Sequence, residues 1–218
     1  MTMRKCFLIA FIVFTISILL TVPVSAEEIS GTCGSNTTWH LDKSTGTMTI
    51  SGNGPMENDS YVPWYDHRKS ITKVVIEEGV TSVGISAFSG CSNLHTVILP
   101  STVTEIRQSA FDYCASLQSI ALDYVTVIDY YAFRNTGLTS VTIPAGVTVI
   151  NSGAFMGCSA LTDVQLQNGI AVIGSYAFYK CALSSVSIPD SVTEIGGSAF
   201  AGCGFTSVTL SEGLEKLG

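Results

Sequence analysis

Charge is scarce in this sequence. Only 12% of its 218 residues are Asp, Glu, Lys or Arg, roughly half the share of an ordinary globular protein. Those few lean acidic, 17 against 10, and no stretch gathers lysines and arginines. That excludes a nucleic-acid surface, because tracking phosphates needs clustered cations. Recognised catalytic and metal-binding motifs are missing too. No C-x-x-C, H-E-x-x-H, nucleophile elbow or phosphate-cradling glycine loop occurs, and His40, His67 and His95 are scattered. The chain is expected to hold no cofactor and no metal, and not to be an enzyme.

Long apolar runs are confined to the start. Arg4 and Lys5 precede an apolar stretch over 6–20, and Val24-Ser25-Ala26 supplies small residues behind Pro23. This is the layout of a secretory signal peptide cleaved after Ala26, with an uncleaved membrane anchor as the alternative. Cleavage leaves 8 basic against 17 acidic residues, a net charge of −9. A secreted or cell-surface protein is expected, touching a membrane only through this segment if it stays attached.

What is present is a repeat. Ala-Phe pairs place Phe88, Phe111, Phe133, Phe155, Phe178 and Phe200 at steps of 23, 22, 22, 23 and 22. Three further apolar columns keep the same step: Leu94 to Phe205, Val97 to Val208, and Ile106 to Leu217. A unit this small cannot bury its apolar side alone, so neighbours must stack and share one core. The V-x-I element alternates apolar and polar residues as a half-buried strand does, and one such strand per turn stacks into a parallel sheet. Seven are countable from 74–76 onward, with Pro100, Pro144 and Pro189 turning the corner. The Ala-Phe pair is expected on the opposite side, in a short helical or irregular turn.

The stretch GVTSVGISAFSGCSNLHTVILPSTVTEI resembles the BspA-like leucine-rich repeats of secreted and surface proteins, and GTCGSNTTWHLDKSTGTMTISGNGPM is similar to the leader that often precedes them. The resemblance covers nearly all of 31–218, and the asparagine ladder of ordinary leucine-rich repeats is absent. It implies an α/β right-handed solenoid of 22–23-residue repeats, with a parallel sheet on one face. It also implies attachment or protein binding, and no activity. The domain division is then 1–26 signal peptide, 27–70 N-terminal cap, and 71–218 repeats with the last one incomplete.

A cysteine returns with the Ala-Phe pair at Cys91, Cys114, Cys158, Cys181 and Cys203, while Thr136 takes its place once. Equivalent positions form a line of parallel side chains. That suits neither tetrahedral metal ligation nor pairing across two repeats, a gap of roughly 9.6 Å. The favoured reading is buried filler, with an occasional disulfide between adjacent repeats as the alternative. Cys33 is either buried under the cap or free for an intermolecular bond. In the leader, Trp39, Leu41, Met48 and Ile50 alternate with polar residues around KSTG as in a hairpin. With Tyr61, Trp64 and Tyr65 they read as a lid over the first repeat, the alternative being an aromatic platform for sugars. The Glu77-Glu78 pair, EIRQ and EKLG read as solvated corners. The last residues repeat only the first half of a unit, so the chain is expected either to continue or to meet a partner there.

The outward strand positions then become the candidate ligand-binding face: Thr96, Ile98, Ser119, Ala121, Thr142, Asp163, Gln165, Ser185, Ser187 and Thr209. They are small and polar, without the Trp, Tyr or Arg of a typical hot spot. The expected function is a non-enzymatic, adhesin-like module that binds an extracellular protein or glycan. The alternative is a structural spacer projecting a domain beyond the C-terminus.

Overall fold

The computed structural model describes residues 28–57, 62–206 and 208–218. The proposed signal segment and Tyr61 lie outside them. Strands β1 (Glu28–Gly34), β2 (Thr37–Asp42) and β3 (Thr47–Gly52) form an antiparallel meander, and β3 then pairs in parallel with β5 (Lys73–Ile76). The KSTG hairpin forms because the Asp42 carboxylate accepts the backbone N–H groups of Ser44 and Thr45 at 2.8 and 3.3 Å. Its inward column, Trp39, Leu41, Met48 and Ile50, is buried.

From there the chain winds as a β-solenoid of about seven turns. Apolar residues at matching positions of each turn fall inside, and one continuous core runs the length of the molecule. The phenylalanines stack at its centre. From Phe88 to Phe200, neighbouring rings are 5.3–5.6 Å apart and within 15° of parallel. Trp64 takes the first place in the stack, 5.8 Å from Phe88. In later turns the N–H of Phe88 or Phe111 fills the Ala110 or Ala132 carbonyl at 2.8 Å, and the Trp64 indole N–H fills the first one, Ala87, at 2.7 Å. The lid therefore satisfies the acceptor that the preceding turn would otherwise have filled.

Two expectations need correction. The α/β label fails, because the Ala-Phe segments are bends, and among the described residues the only helix is a single 3₁₀ turn, Tyr65–His67. Within each bend, alternate N–H groups point along the solenoid. Ser109, Phe111 and Tyr113 donate to Tyr130, Ala132 and Arg134 of the next turn, while Ala110, Asp112 and Cys114 close i→i−3 bonds. The inter-turn bonds leave no room for a continuous helical hydrogen-bond pattern.

The second correction concerns the sheet. The continuous parallel ladder runs outside the V-x-I segments, through β4 (Gly54–Pro55), β6 (Val80–Val83), β8 (Glu105–Ile106), β9 (Val127–Ile128), β11 (Val149–Ile150), β13 (Val172–Ile173), β14 (Glu194–Ile195) and β15 (Lys216–Leu217). EIRQ and EKLG each supply a rung rather than a corner, and Ile106, Ile128, Ile150 and Ile173 along the ladder are fully buried, while Leu217 at its end is exposed. The V-x-I sheet is broken. Strand β5 pairs with β7 (Thr96–Ile98), and β10 (Ser140–Ile143) pairs with β12 (Asp163–Leu166), while Ser187 and Thr209 share one isolated bridge.

Turns this close leave no space for a side chain at some corners. A Cβ on Gly137 would lie 2.2 Å from the Ala115 carbonyl oxygen, whereas one on Gly204 meets Leu183 O only at 3.8 Å. Gly137→Ala is expected to cost roughly 2 kcal/mol, as overpacking against immobile backbone does. Gly204→Ala, a position held by Ala182 one turn earlier, should leave the urea midpoint unchanged. Equal effects at the two sites would contradict this.

Candidate binding surfaces

Eight of the ten outward positions divide among three pieces of the V-x-I face. Ile98 on β7, Thr142 on β10, and Asp163 and Gln165 on β12 are exposed, and Thr96 is half-buried. Thr142 and Gln165 sit side by side in register. Ser185, Ser187 and Thr209 are exposed beside the isolated bridge. Ser119 and Ala121 are exposed but belong to no strand.

The break at Ser119 has a local cause. Two residues separate the apolar columns between Leu122 and Val125, where Leu99 to Val103 and Ile143 to Val147 have three. Asp123-Tyr124 replaces the proline corner, and burying both Leu122 and Val125 draws the preceding segment out of register. Shallow grooves of 380 and 270 Å³ flank it. One lies against His95–Val97 and the other against Ser140–Thr142 and Gln167.

The cysteine column is more than filler. Cys91, Cys114, Cys158 and Cys181 are buried and Cys203 is half-buried, all as free thiols. Cys114 donates to Phe88 O at 3.1 Å, Cys158 to Phe133 O at 3.1 Å, Cys181 to Phe155 O at 3.2 Å and Cys203 to Phe178 O at 3.2 Å. Each therefore reaches back to the previous turn. The Thr136 hydroxyl donates to Phe133 O of its own turn at 2.9 Å and lies 3.1 Å from the Cys158 sulfur. Burial pushes the Cys91 thiol up to about 12 and the Cys114 thiol well above its ordinary value, so both stay protonated at neutral pH and are poor nucleophiles. Thr136→Cys is expected to be near neutral. Thr136→Val, which keeps the shape and loses the donor, should lower stability by about 1 kcal/mol in thermal denaturation.

Trp39 is 6% and Trp64 1% exposed, with their rings edge-to-face at 5.5 Å. Both are consumed by the lid, which overturns the reading of these two as a sugar platform. Cys33 sits half-buried at the lid's edge, its Sγ 3.6 Å from Thr37 Oγ1. His40 faces the Glu28 carboxylate at 3.4 Å, and His95 bonds its neighbour Thr96 at 2.9 Å. Among the described residues, no group of three His, Cys, Asp or Glu side chains is placed to share a metal.

One surface escaped the sequence reading. Exposed aromatics line the Ala-Phe bends rather than the strands, with Tyr113, Tyr130 and Tyr176 about half exposed. Their signal is visible in YYAFRN and SYAFYK. It could not be assigned to a face without knowing which residues of each bend point outward.

Among curated proteins, none matches this chain. Its sequence matches the BspA type leucine rich repeat region in six copies across 64–178 and 126–218. Among solved structures, a leucine rich cell surface protein from Faecalibacterium prausnitzii is 31% identical, with a TM-score of 0.66, over 84% of this chain and 55% of that one. A leucine-rich repeat protein from Bacteroides ovatus is 24% identical, with a TM-score of 0.67, over 83% and 53%. The Treponema pallidum leucine rich repeat protein is 24% identical, with a TM-score of 0.55, over 72% and 78%. The chain thus spans little more than half the length of the first two. With the stacked turns, the Ala-Phe columns and six matching copies in agreement, the chain belongs to the BspA-type leucine-rich-repeat family.

Proposed function

We propose that this is an exported, non-enzymatic binding module that recognises an extracellular protein or glycan through the side of its solenoid. The observation that carries the reading is the exposure, turn after turn, of side chains that neither the core nor the inter-turn bonds require. Thr142, Gln165, Ser185 and Ser187 are examples. Solenoids commonly bind through such extended flanks. The cell-surface relative and the signal-peptide layout of residues 1–26 support an extracellular setting. Small side chains of this kind give little affinity each, so useful binding would draw on many copies presented together.

The test is binding of the purified protein to panels of extracellular-matrix proteins and polysaccharides. Saturable binding to any member is the expected result. If a folded protein binds nothing, the chain is better read as a spacer.

A further inference from the structure

Each Ala-Phe bend contains two backbone positions in the left-handed region. The first column holds Ser86, Ser109, Tyr131, Gly153, Tyr176 and Ser198, at φ between 53° and 67°. The second holds Gly90, Tyr113, Asn135, Gly157, Lys180 and Gly202, at φ between 55° and 79°. Glycine and small polar residues are what this geometry favours, and a bulky side chain there is strained. Tyr113, Tyr131, Tyr176 and Lys180 are the bulky exceptions. Core packing does not account for Tyr113 and Tyr176, which are 54% and 48% exposed.

These tyrosines form a supported strip. The Tyr131 ring rests on the bare Cα of Gly153 in the next turn, where a Cβ would come within 2.4 Å of Cε1. Arg134 lies 5.4 Å from the Tyr113 ring centre and 4.9 Å from that of Tyr131. Two bonds of 2.9 and 2.5 Å to the Asp112 carboxylate fix its guanidinium. Two turns further on, Tyr176 meets Tyr179 edge-on at 5.6 Å, and Lys180 sits 5.1 Å over Tyr179. The turns between advance by about 5.3 Å each, judged by the phenylalanine stack. Among the described residues, the four cation–ring contacts all fall along this edge, the remaining one being Arg68 over Tyr65.

We propose that this Ala-Phe edge binds an extended polysaccharide lying along the solenoid, with sugar rings stacked on Tyr131 and Tyr176 and hydroxyls held by Arg134 and Lys180. The inference deepens the binding-module reading and rests on it. A pyranose offers a flat C–H face to an aromatic ring, and vicinal oxygens to a forked or ammonium donor. A polymer of such rings extends along one axis, and Tyr131 and Tyr176 stand two turns apart in one column of the solenoid. A protein partner would instead be anchored by side chains entering recesses, whereas the Tyr131 ring stands on the backbone of Gly153.

The experiment compares the wild-type protein with Tyr131→Gly/Tyr176→Gly and with Gln165→Lys/Ser187→Lys on the strand face. The probes are hydroxyethyl cellulose, polygalacturonate and immobilised collagen. Wild type should bind at least one polysaccharide. The glycine variant should lose at least tenfold in affinity while melting no lower than wild type, since glycine suits both positions. Tyr131→Phe/Tyr176→Phe, which keeps the rings, should stay within about threefold, whereas a loss confined to the strand-face variant would place the ligand on the strands and overturn the strip. Binding of polygalacturonate alone, lost in the glycine variant, supports the strip and gives Arg134 and Lys180 a charge-reading part. Polysaccharide binding that survives the glycine variant overturns the strip while the binding-module reading stands. Binding confined to collagen overturns the glycan assignment, and no binding to any probe overturns both readings.

Discussion

Phe155→Ala is expected to lower stability by about 3–5 kcal/mol, the range for deleting a fully buried aromatic side chain. The ring has no exposed surface and is stacked on both faces, 5.3 Å from Phe133 and 5.3 Å from Phe178. Loss of transferred apolar area is the larger part. The two stacking contacts add about 0.5–1.5 kcal/mol each beyond burial. Collapse around the hole is limited, because the bends on either side are tied by inter-turn hydrogen bonds such as Phe155 N to Ala177 O at 2.8 Å. In a solenoid each turn is stabilised by its neighbours alone, so a defect in a middle turn weakens two interfaces. Phe200→Ala makes the comparison: its ring is half-buried and its later neighbour, Phe205, is tilted by 51°. It should cost less than half as much. Urea denaturation of both variants checks this, and equal losses would show that the stack is not the continuous support described.

The second large effect is alkaline. The ordinary thiol value is 9.0, and burial pushes Cys91 up to about 12 and Cys114 well above 9.0. Between pH 9 and about 12 the unfolded chain releases protons that the folded chain keeps. The unfolded state then binds fewer protons, so stability falls as pH rises. The contribution is fully present below pH 9 and is lost across that window. Each proton that only the folded chain retains steepens the fall by roughly 1.4 kcal/mol per pH unit, and the raised Cys33, Cys181 and Cys203 thiols act in the same direction. Urea midpoints at pH 7, 9 and 10.5 measure it. Cys114→Thr, borrowing the residue that stands at 136, should make the slope shallower while keeping the fold at pH 7. A flat profile above pH 9, or an unchanged slope in that variant, would contradict a thiol origin.

The solenoid itself was legible in the residues because its cause is periodic. Phe88 to Phe200 and Leu94 to Leu183 must face one core whatever the path between them, and a step of 22 or 23 residues makes them coincide. The hairpin was legible for a local reason, the Asp42 side chain folding back on its own turn. Which of two candidate segments would carry the continuous ladder was not. V-x-I alternates like a strand, but one missing residue between Leu122 and Val125 breaks its pairing, while the plain Glu-Ile and Val-Ile pairs stay in register through five successive strands, from Glu105–Ile106 to Glu194–Ile195.

The roles of the thiols and tyrosines were likewise decided only when the turns stacked. A cysteine becomes a donor when a carbonyl of the previous turn lies within 3.1–3.2 Å of it, and sequence spacing does not show that distance. A tyrosine beside Ala-Phe is an ordinary residue until the bend holds it at φ 57° and sets Gly153 beneath the Tyr131 ring. What the sequence alone determined was the interior, since burial follows from repeated apolar positions. What only the tertiary structure decided was the surface and the polar contacts, since both depend on how one turn is set against the next.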